Sequence, residues 1–377
     1  MSKNVYINKI AKFLPNKPVE NNMMENILGK IANKPSRARR IILKSNGIKQ
    51  RYYVIDSEQK ICYSNAQITA NAIRNLDIDL NKIECLSCGT TLPDQIMPNH
   101  GVMVHGELKS KPCEVIATSG ICLSGITALK YAYLSVKASE SSTAVATGSE
   151  TVSTILQAKN FTAETHISED EFAKQPEIAF EKDFLRWMLS DGAGAMLLQN
   201  KPNKNAISLK IEWIEIFSFA NELEACMYAG AKKEHSVLKG YKEFTQEEWL
   251  KESLFTIKQD VKLLNKNIVP ITVKKTLEKV LEKRDLCPKD VNWFLPHYSS
   301  EYFKNEVYES LIEANFEIPL DKWFTNLTKC GNTGSASIYI VLEELFNHKD
   351  IKTGEKILCY VPESGRFSSS FMLLEVV

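Results

Sequence analysis

Two successive passes of short apolar runs alternating with helical-period segments make up this chain, and no Gly/Ser- or Pro-rich linker separates them. Such alternation commits a chain to sheet covered by helices, and two like units fused without a linker predict one duplicated α/β fold. The first pass predicts strands over 5–10, 83–87, 115–117 and 143–147, helices over 66–76 and 97–108, and a turn entering a strand over 189–198. Residues 155–187 are polar and mixed and read as an insertion or cap. The second pass predicts strands over 207–216, 291–295, 356–361 and 370–377, helices over 301–314 and 338–346, and a mostly helical stretch over 248–283 interrupted at Pro270. A length of 377 residues suits two domains or one large duplicated unit.

The strand-to-helix turn within 113–136 carries the sharpest chemical signal. Its apolar run gives way to Ile126, Leu129, Tyr133 and Val136 at helical spacing, which puts Cys122 at the start of a helix. There a cysteine meets unpaired N–H groups and the positive end of the helix dipole, which favour the nucleophilic thiolate. Gly120 and Gly125 flank it and permit a sharp turn and a close approach. The stretch alone is equally compatible with a core cysteine. His297 follows a buried strand, where α/β sheets commonly place reactive groups. Asn332 lies in a Gly-Asn-Thr-Gly-Ser turn that opens a helix, a position that also suits an ordinary cap. One residue from the first unit and two from the second form a set able to converge between the halves.

Composition excludes several other readings. Nine scattered cysteines do not look like a disulfide framework, and the start of the chain lacks an apolar signal segment, so a reduced, cytoplasmic protein is expected. Cys85-Leu-Ser-Cys88 has zinc-ligand spacing but no second pair, and no metal is expected. No stretch nears the roughly 20 apolar residues of a membrane span, and a net charge of +1 argues against nucleic acid. Arg37, Arg39, Arg40, Lys44, Lys49 and Arg51 crowd one short segment. They make either a solvated basic face or a docking patch for an acidic or phosphate-bearing partner.

Taken in order, Thr-Ser-Gly-Ile-Cys122-Leu-Ser-Gly, Ser-Asp191-Gly-Ala-Gly-Ala, Leu-Pro-His297, Gly-Asn332-Thr-Gly-Ser-Ala-Ser and the early Asn-Gly47-Ile48 with Arg51 resemble the thiolase-superfamily condensing enzymes of the β-ketoacyl-acyl carrier protein synthase III (KAS III) kind. The resemblance spans essentially the whole chain. It implies a five-layered αβαβα thiolase fold of two pseudo-twofold halves, 1–200 (with the insertion or cap at about 151–188) and 201–377, and a homodimer. It further implies a Cys122-His297-Asn332 triad, an oxyanion hole from the Cys122 and Gly365 amides, and no bound cofactor. The substrates would be acyl carrier protein or coenzyme A thioesters carried on phosphopantetheine.

The chain departs from typical members at Ile41 and Ser45, where a Trp and an Arg near the entrance are expected, and at Glu363-Ser-Gly365-Arg366, where a glycine run is expected. These departures, with Ser-Cys88-Gly-Thr-Thr-Leu-Pro-Asp94 and Thr-Gly-Ser-Glu150, resemble the dialkylresorcinol-forming subgroup of DarB and StlD. That subgroup implies Claisen-type joining of two acyl thioesters, one of them β-ketoacyl, and closure to a cyclohexanedione. Glu150 is then a candidate proton-transfer residue and Arg366 a candidate substrate group near the chamber. The alternatives are an initiating synthase joining acyl-coenzyme A to malonyl-carrier protein, a cysteine-dependent acyltransferase, and a non-catalytic partner subunit.

Overall fold

A computed structural model describes residues 4–36, 38–161 and 184–377. The first five strands of its large sheet are β1 (Tyr6–Phe13), β2 (Cys85–Thr90), β3 (Glu114–Ser119), β4 (Thr143–Glu150) and β5 (Gly192–Gln199), in spatial order β3-β2-β4-β5-β1. The next four, β6 (Leu209–Ser218), β7 (Trp293–Pro296), β8 (Lys356–Glu363) and β9 (Ser368–Val376), lie in order β7-β8-β9-β6. Both sets repeat one pattern. The β2–β4 and β7–β8 pairs are parallel, and each is followed by two antiparallel pairings, β4–β5–β1 and β8–β9–β6. The counterpart of β3 in the second set is reduced to one parallel bridge, Phe294 to Trp323. A short contact of β1 with β6, Tyr6 to Lys210 and Ile7 to Leu209, joins the two into a single mixed sheet.

Helices α1 (Asn65–Arg74) and α2 (His100–Leu108) pack on the first half; Ser64 and Gln67 form a capping box on α1, and the Asn99 side chain caps α2. Helices α3 (Leu123–Ala138) and α4 (Ser337–His348) lie between the halves. Helix α3 touches β2 and β4 on one side and β8 and β9 on the other, and α4 touches β1, β5 and β7. Gly125, Ile126, Ala128, Leu129, Ala132, Tyr133 and Val136 are all buried, so α3 is apolar around most of its circumference, as an internal helix must be. A Cβ on Gly125 or Gly148 would stand 2.2 or 2.3 Å from the Ser335 carbonyl oxygen. Glycine at these two points is what brings the start of α4 against α3 and β4.

Most elements lie where the residue pattern puts them, with three informative differences. Strands β2 and β4 run on to Thr90 and Glu150 because ladder pairing continues past the apolar run that signals them. Pro270 does not interrupt its helix. Val261–Val269 passes into a wider π turn over Pro270–Lys275 and resumes as Thr276–Leu281. The wider turn accommodates the missing proline N–H, and Thr276 Oγ1 donates to the Ile271 carbonyl at 3.1 Å. The helical stretch expected from 248 starts only at Val261: apart from the short helix Gln246–Lys251, residues 219–260 form turns and short paired strands, among them Met227–Tyr228 with Lys258–Gln259, whose backbone pairing overrides the helical pattern. Most of the expected cap at 155–187, namely 162–183, lies outside the described residues.

Cys85 and Cys88, at zinc-like spacing, pack into different apolar cores on opposite faces of β2. They cannot share an ion. Among the described residues no helix is long and apolar enough to cross a membrane.

Candidate active site

A cavity of about 770 Å³, its open mouth included, is lined by Cys122, His297, Asn332 and Glu150 together. Four side chains far apart in the sequence thus meet where β3, β4, β7 and the start of α4 converge. Cys122 is the residue just before α3, with its backbone already helical. The sulfur differs from the expectation of a ready thiolate. Burial pushes the Cys122 thiol well up, and the Glu150 and Glu363 carboxylates add to the effect; its own backbone N–H opposes it but does not win. A sulfur so placed rests as a protonated thiol, and its use as a nucleophile would require removal of the proton.

His297 follows β7 directly, and its N–H donates to the Tyr360 carbonyl at 2.8 Å, extending the β7–β8 ladder by one step. Burial pushes the ring down to about 4, so the imidazole is neutral near pH 7. Asn332 is held on three sides. Its N–H donates to Met188 O at 3.1 Å, its carbonyl accepts from Ser190 N at 2.8 Å, and its Oδ1 accepts from the Gly334 N–H at 2.9 Å. A backbone donor on Oδ1 fixes which way the carboxamide faces, leaving the Nδ2 hydrogens as its available donors. Asp191 braces the same corner: its carboxylate accepts from Val54 N at 2.7 Å, Ser153 N at 2.9 Å and Ser153 Oγ.

Glu150 ends β4 and is 1% exposed. Its Oε1 accepts from Thr91 N (3.1 Å), Thr91 Oγ1 (2.5 Å) and Ser335 N (3.1 Å), whereas Oε2 has no partner among the described residues. Burial outweighs those three donors and raises the carboxyl to about 7. One oxygen is anchored and the other can gain or lose a proton near neutrality. Gly334, at φ +51°, makes room for it, since a Cβ there would stand 2.9 Å from Oε1. Sequence reasoning does not single out Thr91 or Ser335, although each sits in a glycine-containing turn, the one local signal that points toward them.

Gly365 does not stand ready as an oxyanion donor. Its N–H donates to Glu363 Oε1 at 2.7 Å, and Glu363 Oε2 accepts from Ser368 N at 3.3 Å. Glu363 must release that amide before any oxyanion can use it. Arg366 is exposed, not beside the chamber, and its Nε donates to Leu223 O at 2.8 Å. Much of the rest of the cavity wall is apolar, with Leu264, Ile268, Phe303 and Val307 at i, i+4 spacings that in sequence look like ordinary core.

The basic segment divides. Arg51 is buried and donates to Asn21 Oδ1 at 2.5 Å and Trp187 O at 3.0 Å, so it is a structural cation and not a docking group. Arg39 is half-committed, donating to Asn21 O at 2.9 Å, pairing with Glu25 at 3.4 Å and lying 5.3 Å over the Trp187 ring. Arg40, Lys44 and Lys49 are exposed, on or just beyond the helix Arg39–Asn46, which packs on the Glu301–Phe303 turn beside the cavity. Arg37 lies outside the described residues.

Comparison with known proteins finds two family models. "3-Oxoacyl-[acyl-carrier-protein (ACP)] synthase III C terminal" matches residues 281–370, and "Beta-ketoacyl synthase, N-terminal domain" matches 113–204. A β-ketoacyl-[acyl-carrier-protein] synthase III of Aquifex aeolicus is 24% identical over 323 residues, 84% of each chain. Among solved structures, AbyA1, a tetronic acid condensing enzyme, superposes with a TM-score of 0.74 at 16% identity, covering 98% of this chain and 99% of that one. OleA of Xanthomonas campestris, with bound lauric acid and lauroyl-CoA, gives 0.68 at 17% identity over 100% of both chains. The fold is the thiolase fold of these neighbours.

Proposed function

We propose that this chain, a KAS III-like condensing enzyme of the thiolase superfamily, joins two acyl thioesters through an acyl-Cys122 intermediate and closes the product to a cyclohexanedione, the precursor of a dialkylresorcinol. The observation that carries the reading is a single cavity holding one thiol, two neutral donors and one carboxyl raised to about 7. No metal or redox group is called for by that set.

In the first half-reaction Cys122 Sγ attacks the thioester carbonyl of one acyl group. The neutral His297 ring takes the Sγ–H proton and returns it to the departing carrier sulfur as the carrier C–S bond breaks, leaving an acyl-Cys122 thioester. In the second, the carbonyl oxygen of the other thioester accepts hydrogen bonds from His297 Nε2–H and Asn332 Nδ2–H. Those bonds strengthen as negative charge develops on that oxygen. Glu150 Oε2 removes the α-proton, the enolate carbon bonds to the acyl carbon, and Cys122 leaves as sulfur that recovers the proton. A further proton removal by Glu150, from a carbon beside the ketone of the joined chain, gives a carbanion that adds to the β-carbon of an enoyl partner; the ring closes at the expense of the C=C bond, and the proton is returned to the carbon next to it.

Arg40, Lys44 and Lys49 are the docking groups for an acidic carrier protein, and the exposed edge strand β3 is the surface on which two chains pair as a homodimer. The decisive experiment supplies synthetic β-ketoacyl and enoyl thioesters and analyses protein and product by mass. The native enzyme should give an acyl adduct and a cyclic diketone, and Cys122→Ala neither. An adduct that persists in Cys122→Ala refutes the nucleophile, and an open-chain product alone refutes the ring closure.

A further inference from the structure

In one apolar stretch of the cavity wall a carboxamide side chain interrupts the aliphatic lining. Gln259 is 3% exposed and lines the cavity, and its Oε1 has no hydrogen-bond partner among the described residues. Around it the wall is Met227, Ile257, Leu264, Ile268 and Val269. The fold does not need a carboxamide there, because the two-residue strand Lys258–Gln259 pairs with Met227–Tyr228 through backbone alone. Methionine or leucine would fill the same space without leaving an amide desolvated.

Three intermediate residues link its strand to the turn that carries the sulfur. Cys226 N and Met227 N both donate to Gly365 O, at 2.7 and 3.3 Å, and Met227 is the register partner of Gln259. Gly365 in turn lies against Ile121, the residue before Cys122, where an added Cβ would stand 2.8 Å from Ile121 Cδ1. Gln259 and Cys122 thus line one cavity, the one into which an acyl chain on the sulfur would extend.

We infer that Gln259 is a specificity residue that selects acyl groups bearing a hydrogen-bonding oxygen along the chain, such as a 3-hydroxyl or an enolised 3-oxo group. This rests on the acyl-Cys122 reading above. A hydroxyl or enol O–H donates to Oε1 and satisfies it. A saturated chain leaves that buried oxygen unpaired, and sites built around such an acceptor discriminate strongly against an analogue that lacks the donor.

The test measures the rate of acyl-Cys122 formation from saturated, 3-hydroxy and 3-oxo thioesters of one chain length, in the native protein and in Gln259→Met. The native protein should acylate about tenfold or more faster with an oxygenated chain than with the saturated one. In Gln259→Met that ratio should fall toward one, the saturated substrate should react at least as fast as before, and the thermal midpoint should not drop. The 3-hydroxy and 3-oxo arms tell which oxygen is read. A ratio unmoved by Gln259→Met, or no preference in the native protein, overturns the inference alone. No acyl-Cys122 from any of the three overturns the underlying function and the inference with it.

Discussion

Glu150 and Asn332 show how one residue acquires a role from the atoms around it. Glu150 ends a strand and Asn332 lies in a turn, yet in each a backbone N–H claims one oxygen and leaves the other end of the group available. For Glu150 the consequence is measurable through pH. A carboxyl whose folded value is raised above its unfolded one stabilises the fold below the unfolded value, and that contribution is lost as pH rises through the folded value. The window here runs from the ordinary carboxylate range up to about 7. Glu150→Gln keeps the acceptor for Thr91 and Ser335 and cannot ionise. It should therefore melt close to the native protein at pH 5 and above it at pH 8, by at most about 3 kcal/mol at 1.4 kcal/mol per pKa unit. The same variant should acylate Cys122 normally and give little cyclic product. Equal melting at both pH values would show that Glu150 does not titrate in that window, and an undiminished yield would remove it from ring closure.

Among the elements, the helix Arg39–Asn46 is where tertiary structure most revises the reading of charge. Six basic residues look alike in sequence, but Arg51 and much of Arg39 are spent inside the fold. Among the described residues, the cations left exposed, Arg40 and Lys44 on the helix and Lys49 after it, sit beside the Glu301–Phe303 turn whose Phe303 lines the cavity. Surface charges of this kind act mainly on encounter and are screened by salt. Arg40→Glu combined with Lys44→Glu should raise KM for a carrier-bound acyl substrate severalfold at low salt and leave kcat unchanged. The native enzyme should lose the same advantage as ionic strength rises. A KM indifferent to both changes would leave the segment a solvated face. Reversal at Arg51 would not address the question, because it would break a buried network.

For the whole molecule, the duplicated strand pattern explains why the reacting groups come from three distant segments. Each half supplies strand ends that open at the same interface, and α3 and α4 hold those ends together at a spacing only glycine allows. Strand β3 closes one edge of the sheet with its residues half-buried or exposed, an unpaired row of backbone groups that a second copy can continue. Sedimentation at assay concentrations should give twice the 42.7 kDa chain mass, with β3 amides protected from hydrogen exchange. A species of single-chain mass with rapidly exchanging β3 amides would rule the pairing out.

The sequence by itself determined the elements whose signal is local. The period-2 and period-3.6 apolar runs marked the principal sheet strands and the long helices, and the turn grammar marked Cys122, His297 and Asn332, because burial pattern and turn chemistry act over a few residues. What it could not determine depends on groups distant along the chain. The thiol is protonated because two carboxylates and burial outweigh a helix end, Gly365 is occupied by Glu363, Arg51 is a core cation, and Gln259 stands unpaired in a tunnel wall. Each of those facts is a matter of desolvation and through-space neighbours, and only the packed chain decides which neighbours a side chain has.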